Sequence, residues 1–137
     1  MSAETTITDI GKKQHILVCL SASPSNEKIV QTAANMAEVL SARFTALYVN
    51  NDFSLTGIDK KRLDMNIQFA EKLGADVVTV HGDDIAMQIA EYARLSDVTK
   101  IVIGQSNAKR NRIWGGYTLT EKLIAYAPDI DIHIIPD

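Results

Sequence analysis

Cysteine is nearly absent from this sequence, since Cys19 is the single one among 137 residues. A disulfide framework and a cysteine-based metal site are therefore excluded, and a reducing compartment is indicated. No apolar run approaches the roughly 18 residues that span a membrane, and no signal peptide precedes the first apolar segment. We therefore expect a cytoplasmic domain that makes no membrane contact of its own.

An excess of basic residues is missing as well. Lysine and arginine number 14 against 17 acidic residues, so the formal net charge is −3. DNA and RNA polymers are therefore not expected as partners, because binding them needs a net basic face. The content of 46% hydrophobic and 23% charged residues is that of an ordinary soluble protein. The length suits one domain.

Motifs of catalysis are also lacking. The sequence has no phosphate-binding loop with its lysine, no Gly-x-Gly-x-x-Gly, no plausible Ser-His-Asp order and no metal-ligand spacing. His15, His81 and His133 do not assemble into a metal site. A phosphoacceptor receiver domain is rejected, because the third strand ends in Val80-His81-Gly82 where such a domain needs an aspartate. We expect no catalysis by this chain and no required cofactor.

Strand and helix patterns alternate from His15 onward. Residues 1–13 have no sustained period and are predicted to be a flexible lead-in, with one domain over residues 14–137. The predicted strands are 15–21, 44–49, 75–80, 100–104 and 130–135, and the predicted helices are 24–42, 59–73, 84–95 and 118–126, with Asp83 or Asp84 as a cap. This alternation predicts a Rossmann-like three-layer α/β sandwich with a five-stranded parallel sheet, for which we take the order 3-2-1-4-5.

Ligands of such sheets bind outside the carboxyl ends of the strands, where the strand order reverses, which here lies between strands one and four. Two loops meet there: residues 21–26, and Gly104-Gln105-Ser106-Asn107 with its continuation. Their hydroxyls and helix-opening amides suit an anion. The second loop adds Lys109, Arg110 and Arg112, so a phosphate ligand is predicted. Ordinary helix capping and a solvated basic loop remain alternatives.

Four further residues are considered, of which Tyr48, His81 and Cys19 have two interpretations each. Tyr48, near the end of strand two, either stacks on a base or seals the sheet against a helix. His81 either approaches a bound ligand or lies on the surface. Cys19 lies within an apolar strand and is expected to be a buried core residue rather than a nucleophile. Trp114 is an apolar ring in a polar loop and needs something to cover it.

Three segments resemble the universal stress protein family, and within it the universal stress protein domains of KdpD-type potassium sensor histidine kinases. They are residues 101–106, the turn of residues 82–85 and the closing residues 131–136. The resemblance extends from about Gln14 to the end. In addition, Ser21-x-Ser23, twenty further residues and Phe44-Thr45-Ala46-x-Tyr48 resemble the signature with which such domains of Gram-positive bacteria bind cyclic di-AMP.

This resemblance implies a cytoplasmic sensory domain of an inner- or plasma-membrane sensor histidine kinase in two-component regulation of potassium uptake. Its ligand would be cyclic di-AMP, and its partners the other domains of the parent kinase. Together with the two loops, the signature predicts these ligand-binding residues: Ser21, Ala22, Ser23, Phe44, Thr45, Ala46, Tyr48, Gly104, Gln105, Ser106, Lys109, Arg110 and Arg112.

The pattern of ATP-binding stress proteins is incomplete here. Those proteins have Gly-x-x-Gly and a later Gly-Ser or Gly-Thr after strand four, and usually an aspartate at the end of strand one. In this sequence Gly104 is kept, Asn107 takes the second glycine's place and Ser21 that of the aspartate. Two other functions stay open: an ATP- or AMP-binding stress protein, and a ligand-free interaction module that docks through the basic loop and Trp114.

Overall fold

The computed structural model describes residues 13–52, 55–108 and 117–137, with the backbone alone at residues 106 and 107. Strands and helices alternate along this part of the chain, as the apolar periods predict. The elements are β1 (His15–Cys19), α1 (Asn26–Leu40), β2 (Arg43–Asn50), α2 (Gly57–Lys72), β3 (Asp76–His81), α3 (Ile85–Leu95), β4 (Lys100–Gly104), α4 (Gln105–Ala108), α5 (Leu119–Tyr126) and β5 (Asp131–Ile135).

The five strands form one parallel sheet in the order β3-β2-β1-β4-β5. Helices α1 and α2 cover one face of the sheet, and α3 and α5 cover the other. The predicted three-layer sandwich and its strand order are therefore confirmed. Among the described residues, no helix combines the length and the apolar character needed to cross a bilayer.

β1 is the centre of the core because its side chains are apolar on both sides. Ile16 and Val18 pack under α1 and α2, while Leu17 and Cys19 pack on the opposite face. All four are buried. A strand covered on both faces needs no polar alternation, which is why β1 reads as one continuous apolar run.

Several boundaries differ from those predicted by one or more residues, and one short helix is additional. β1 ends at Cys19 rather than at residue 21, because side chains rather than a neighbouring strand take up the backbone groups of Ser21. α2 begins two residues early, since the Thr56 hydroxyl accepts the N–H of Asp59 and caps it. The short helix α4 was not predicted, because four residues are too few to have a helical period.

Candidate functional site

A cavity of about 230 Å³ opens at the carboxyl ends of β1 and β2. Its walls come from these strand ends, from the segment that follows β2, and from the first turns of α3 and α5. The lining residues are Cys19, Leu20, Ser21, Ala22, Leu47, Tyr48, Val49, Asn51, Leu55, Ile85, Ile89 and Leu119. The sequence predicts a crevice between β1 and β4, whereas the described residues place this cavity beside β1 and β2.

The cavity has an apolar floor and a polar rim. Leu47, Ile89 and Leu119 are buried and supply the floor, while the half-buried Ser21 and Tyr48 lie on the rim. Such a combination suits a flat, mostly apolar group that carries a few hydrogen-bonding atoms. Leu55 and Leu119 were not singled out as site residues by the sequence, because an apolar side chain carries no chemical signal of a ligand.

The loop after β1 is held together by its own serines. The N–H of Ser23 donates to Ser21 Oγ (3.2 Å), and the N–H of Ser25 donates to Ser23 Oγ (3.2 Å). The hydroxyls of Ser23 and Ser25 are 2.8 Å apart. Ser25 is the N-cap of α1, yet it makes no side-chain capping bond. Simple helix capping therefore does not account for these three serines.

Two buried asparagines, one at the start of α1 and one in α2, bind the backbone of this loop. Asn26 accepts the N–H of Ser21 through Oδ1 (3.3 Å) and donates through Nδ2 to the Cys19 carbonyl (3.1 Å). Asn66 of α2 donates to the carbonyls of Ser21 (2.8 Å) and Ser23 (3.2 Å). Asn66 is not among the site residues predicted from the sequence. The one sequence feature that could have indicated its role is a polar residue beside the apolar stripe of α2.

The aromatic and small residues of β2 fall in different environments. Phe44 and Ala46 are buried in the core under α1 and α2, and Ala46 has no exposed surface. Tyr48, two positions farther along on the same face, is half-buried and reaches the cavity. Phe44 and Ala46 are predicted ligand-binding residues, but the surrounding core covers them and neither reaches the cavity. Phe44 and Ala46 shape the sheet beneath the site without lining it.

Thr45 lies near the amino end of β2 and is bonded to a histidine. Its hydroxyl is 2.7 Å from His15 Nε2, and Nδ1 of the same ring is 2.9 Å from the Ser96 carbonyl. Because a carbonyl only accepts, Nδ1 carries the proton and Nε2 accepts from Thr45. Burial, with a smaller contribution from the charge of Arg43, lowers the pKa of His15. Thr45 is buried and lies outside the cavity wall.

The loop after β4 is described only in part. Gly104 is buried, and a side chain there would collide with Ile29 Cδ1 of α1, so this glycine serves close packing of helix on strand. Gln105 is exposed at the start of α4, and Ser106 is described by its backbone alone. The predicted cations Lys109, Arg110 and Arg112, and also Trp114, lie outside the described residues.

Cys19 lies in the cavity wall, and its thiol is not activated. Burial raises the pKa of the Cys19 thiol to about 12, so it stays neutral and a poor nucleophile. His81 is exposed at the end of β3 and does not line the cavity. Within the described ranges, no three His, Cys, Asp or Glu side chains are grouped so as to hold a metal ion.

Comparisons with known proteins agree with this fold. The universal stress protein family matches residues 13–128. The sensor protein KdpD of Clostridium acetobutylicum is 39% identical over 133 residues, which is 96% of this chain and 15% of that protein. The chain thus spans about 15% of the length of this relative.

Solved structures of the same family are similar in fold. A universal stress protein in complex with cAMP has a TM-score of 0.68 at 16% identity, covering 90% of this chain and 97% of that one. Another, from Archaeoglobus fulgidus in complex with dAMP, has a TM-score of 0.58 at 20% identity, covering 89% and 97%. Because the family match covers most of the sequence, this chain belongs to the universal stress protein family.

Proposed function

We propose that this chain is the ligand-sensing domain of a KdpD-like sensor histidine kinase, and that it binds cyclic di-AMP at the carboxyl ends of β1 and β2. The domain itself performs no catalysis and needs no cofactor. It lies in the cytoplasm as one part of a membrane protein that regulates potassium uptake. Its binding state is passed to the other domains of the kinase.

The observation that carries the proposal is the cavity between the Ser21 loop and Tyr48. Ser21 and Tyr48 both belong to the signature Ser-x-Ser, twenty residues, Phe-Thr-Ala-x-Tyr, and both line the cavity although they are 27 positions apart in the sequence. An aromatic ring at the rim and leucine and isoleucine side chains below suit a purine. The volume is below the roughly 300–1,000 Å³ that encloses a whole drug-sized ligand. One adenine would therefore enter, with the rest of the dinucleotide at the mouth.

The phosphates would lie against the serine loop. Because Ser21 Oγ accepts the N–H of Ser23, its own proton points elsewhere and can be donated to a phosphate oxygen. The loop leads directly into α1, whose first N–H groups and dipole favour negative charge. The sequence also predicts that Lys109, Arg110 and Arg112 of the second loop supply positive charge to the phosphates.

The relatives favour a nucleotide and a sensory role. The relative at 39% identity is named a sensor protein, and two solved family members were bound to cAMP and dAMP. The altered glycine pattern after β4 favours a ligand other than ATP. A sensory domain must bind its ligand more tightly in one signalling state than in the other, and a coupling of roughly 1–3 kcal/mol is typical.

Calorimetric titration of the purified domain tests the proposal. We expect heat with cyclic di-AMP at micromolar concentrations, weaker heat with cAMP and AMP, and little with ATP. Heat with ATP but none with cyclic di-AMP would contradict the proposal and favour an ATP-binding stress protein. No binding of any nucleotide by a folded sample would favour the interaction module that docks through the basic loop and Trp114.

A further inference from the structure

We infer that Asn66 is a positioning residue for the ligand, because it fixes the backbone of the Ser21–Ser23 segment before any ligand arrives. The identity of the ligand in this inference rests on the proposed function. The role of Asn66 in fixing the shape of the loop does not. Asn66 does not line the cavity, so it acts through the two serines.

The burial of Asn66 indicates a specific task. It is 7% exposed and lies in α2 among Leu63, Ile67 and Ala70, which pack on the sheet. An amide buried in an apolar layer costs free energy unless its polar atoms are bonded. An apolar residue at this position would avoid that cost. The bonds that Asn66 makes therefore explain why an amide stands there.

Those bonds join two distant parts of the chain. The Nδ2 group of Asn66 donates to the carbonyl of Ser21 at 2.8 Å and to that of Ser23 at 3.2 Å, across 45 and 43 positions of sequence. The two acceptors are the two ends of the Ser-x-Ser segment. A single amide thus fixes both ends of the segment in relation to α2.

Asn26 holds the same segment from the other side, since its Oδ1 accepts the N–H of Ser21. Both backbone polar groups of Ser21 are therefore bound by asparagine side chains. The Ser21 side chain is fixed in turn by the N–H of Ser23. A loop that is already ordered loses less conformational entropy when a ligand binds, so affinity rises without any new contact to the ligand.

The test combines Asn66→Ala and Asn66→Asp with the control Ala70→Gly. Aspartate has nearly the shape of asparagine but no N–H to donate. Ala70 is buried one turn farther along α2, so glycine there weakens the same helix without touching a loop bond. Amide hydrogen exchange of residues 21–25 is measured without ligand, and the affinity for cyclic di-AMP is measured by calorimetry.

We expect both Asn66 variants to speed exchange in the loop selectively and to weaken cyclic di-AMP binding roughly tenfold. Ala70→Gly is expected to lower the melting temperature with loop exchange and affinity close to those of the unaltered domain. Unchanged exchange in the Asn66 variants overturns the inference, and so does faster exchange with full affinity. If the unaltered domain binds no cyclic di-AMP, the proposed function fails, and the exchange data alone decide whether Asn66 fixes the loop.

Discussion

Strand β1 has a cluster of polar side chains at each end, and the two clusters differ in what surrounds them. At the amino end, His15 is 2% exposed and bonded to Ser96 and Thr45 within the protein. At the carboxyl end, Ser21 and Ser23 are half-buried, and Ser21 lines a cavity. Both ends thus carry hydroxyl groups, but that of Thr45 is bonded to His15 inside the protein, whereas Ser21 lines the cavity.

The comparison separates structural from binding roles among residues of one chemical type. Thr45 and Ser21 are both hydroxyl residues of the signature. The hydroxyl of Thr45 donates its proton to the imidazole of His15, and the Thr45 side chain is buried. Ser21 accepts the N–H of Ser23 and lines the cavity. We therefore assign Thr45 to the stability of the domain and Ser21 to the proposed ligand.

The largest effect is expected from His15→Ala. The change leaves the Ser96 carbonyl without its donor and opens a hole in the core, so the free energy of unfolding should fall by about 2–4 kcal/mol. Urea denaturation followed by circular dichroism measures it. His81→Ala at the exposed end of β3 is the control, with a change within about 0.5 kcal/mol. An equal effect of both substitutions would remove the distinction between the two ends. His15→Gln provides a milder variant if the first one does not fold.

Next in size is the effect of Ser21→Ala and Ser23→Ala on ligand affinity. Each is expected to weaken cyclic di-AMP binding by roughly 1–3 kcal/mol, the usual cost of an unmade hydrogen bond to a charged group. Calorimetry measures the affinity, and thermal melting shows that the fold is kept. Thr45→Val is the matched control, which should lower stability by about 1 kcal/mol and preserve affinity. Loss of binding in Thr45→Val with full binding in both serine variants would reverse our assignment.

The pH dependence of stability should come from His15, at the amino end of β1. Because the pKa of His15 is lowered on folding, the unfolded chain binds the proton more readily between the folded pKa and about 6.5. Stability is therefore complete above about pH 6.5 and falls as the pH decreases through this window, by at most roughly 1.4 kcal/mol per pH unit. Denaturation midpoints from neutral to mildly acidic pH measure the slope. His15→Gln should flatten it, and an unchanged slope in that variant would assign it to another group.

The sequence predicts the fold well because each element has its own apolar period. β1 and β4 are continuous apolar runs, and the helices repeat at three and four residues, so the elements and the three layers follow from the alternation and the right-handed crossover. The serine loop could also be predicted, since the carboxyl ends of parallel strands share one edge. The strand period even places Ala46 and Thr45 on opposite faces, as observed.

Contacts between distant elements could not be predicted from the sequence. The period of α2 places Asn66 near the buried stripe, but it does not reveal which carbonyls the amide reaches in a loop 43 to 45 positions earlier. Similarly, nothing local shows that His15 is bonded to Thr45 rather than exposed. The cavity lies toward α3 and α5 because two helix starts close over β1 and β2, which is a property of packing and not of any motif.

The smallest expected effect is that of salt concentration. It should weaken ligand binding at the carboxyl end of β1 and hardly change the stability contributed at the amino end. A phosphate ligand held by Lys109, Arg110 and Arg112 would be screened, because the Debye length shortens to about 10 Å at 0.1 M salt. We expect affinity for cyclic di-AMP to fall roughly two- to fivefold between low and physiological ionic strength. The neutral bonds of His15 are buried, so the contribution of His15 to stability should hardly change.

Two arginine variants test which charges attract the ligand. Arg110→Gln should reduce the salt dependence of binding. Arg43→Gln, an equal loss of charge at the exposed start of β2, should leave that salt dependence unchanged. Equal slopes in both variants would mean that overall charge, rather than the second loop, attracts the ligand.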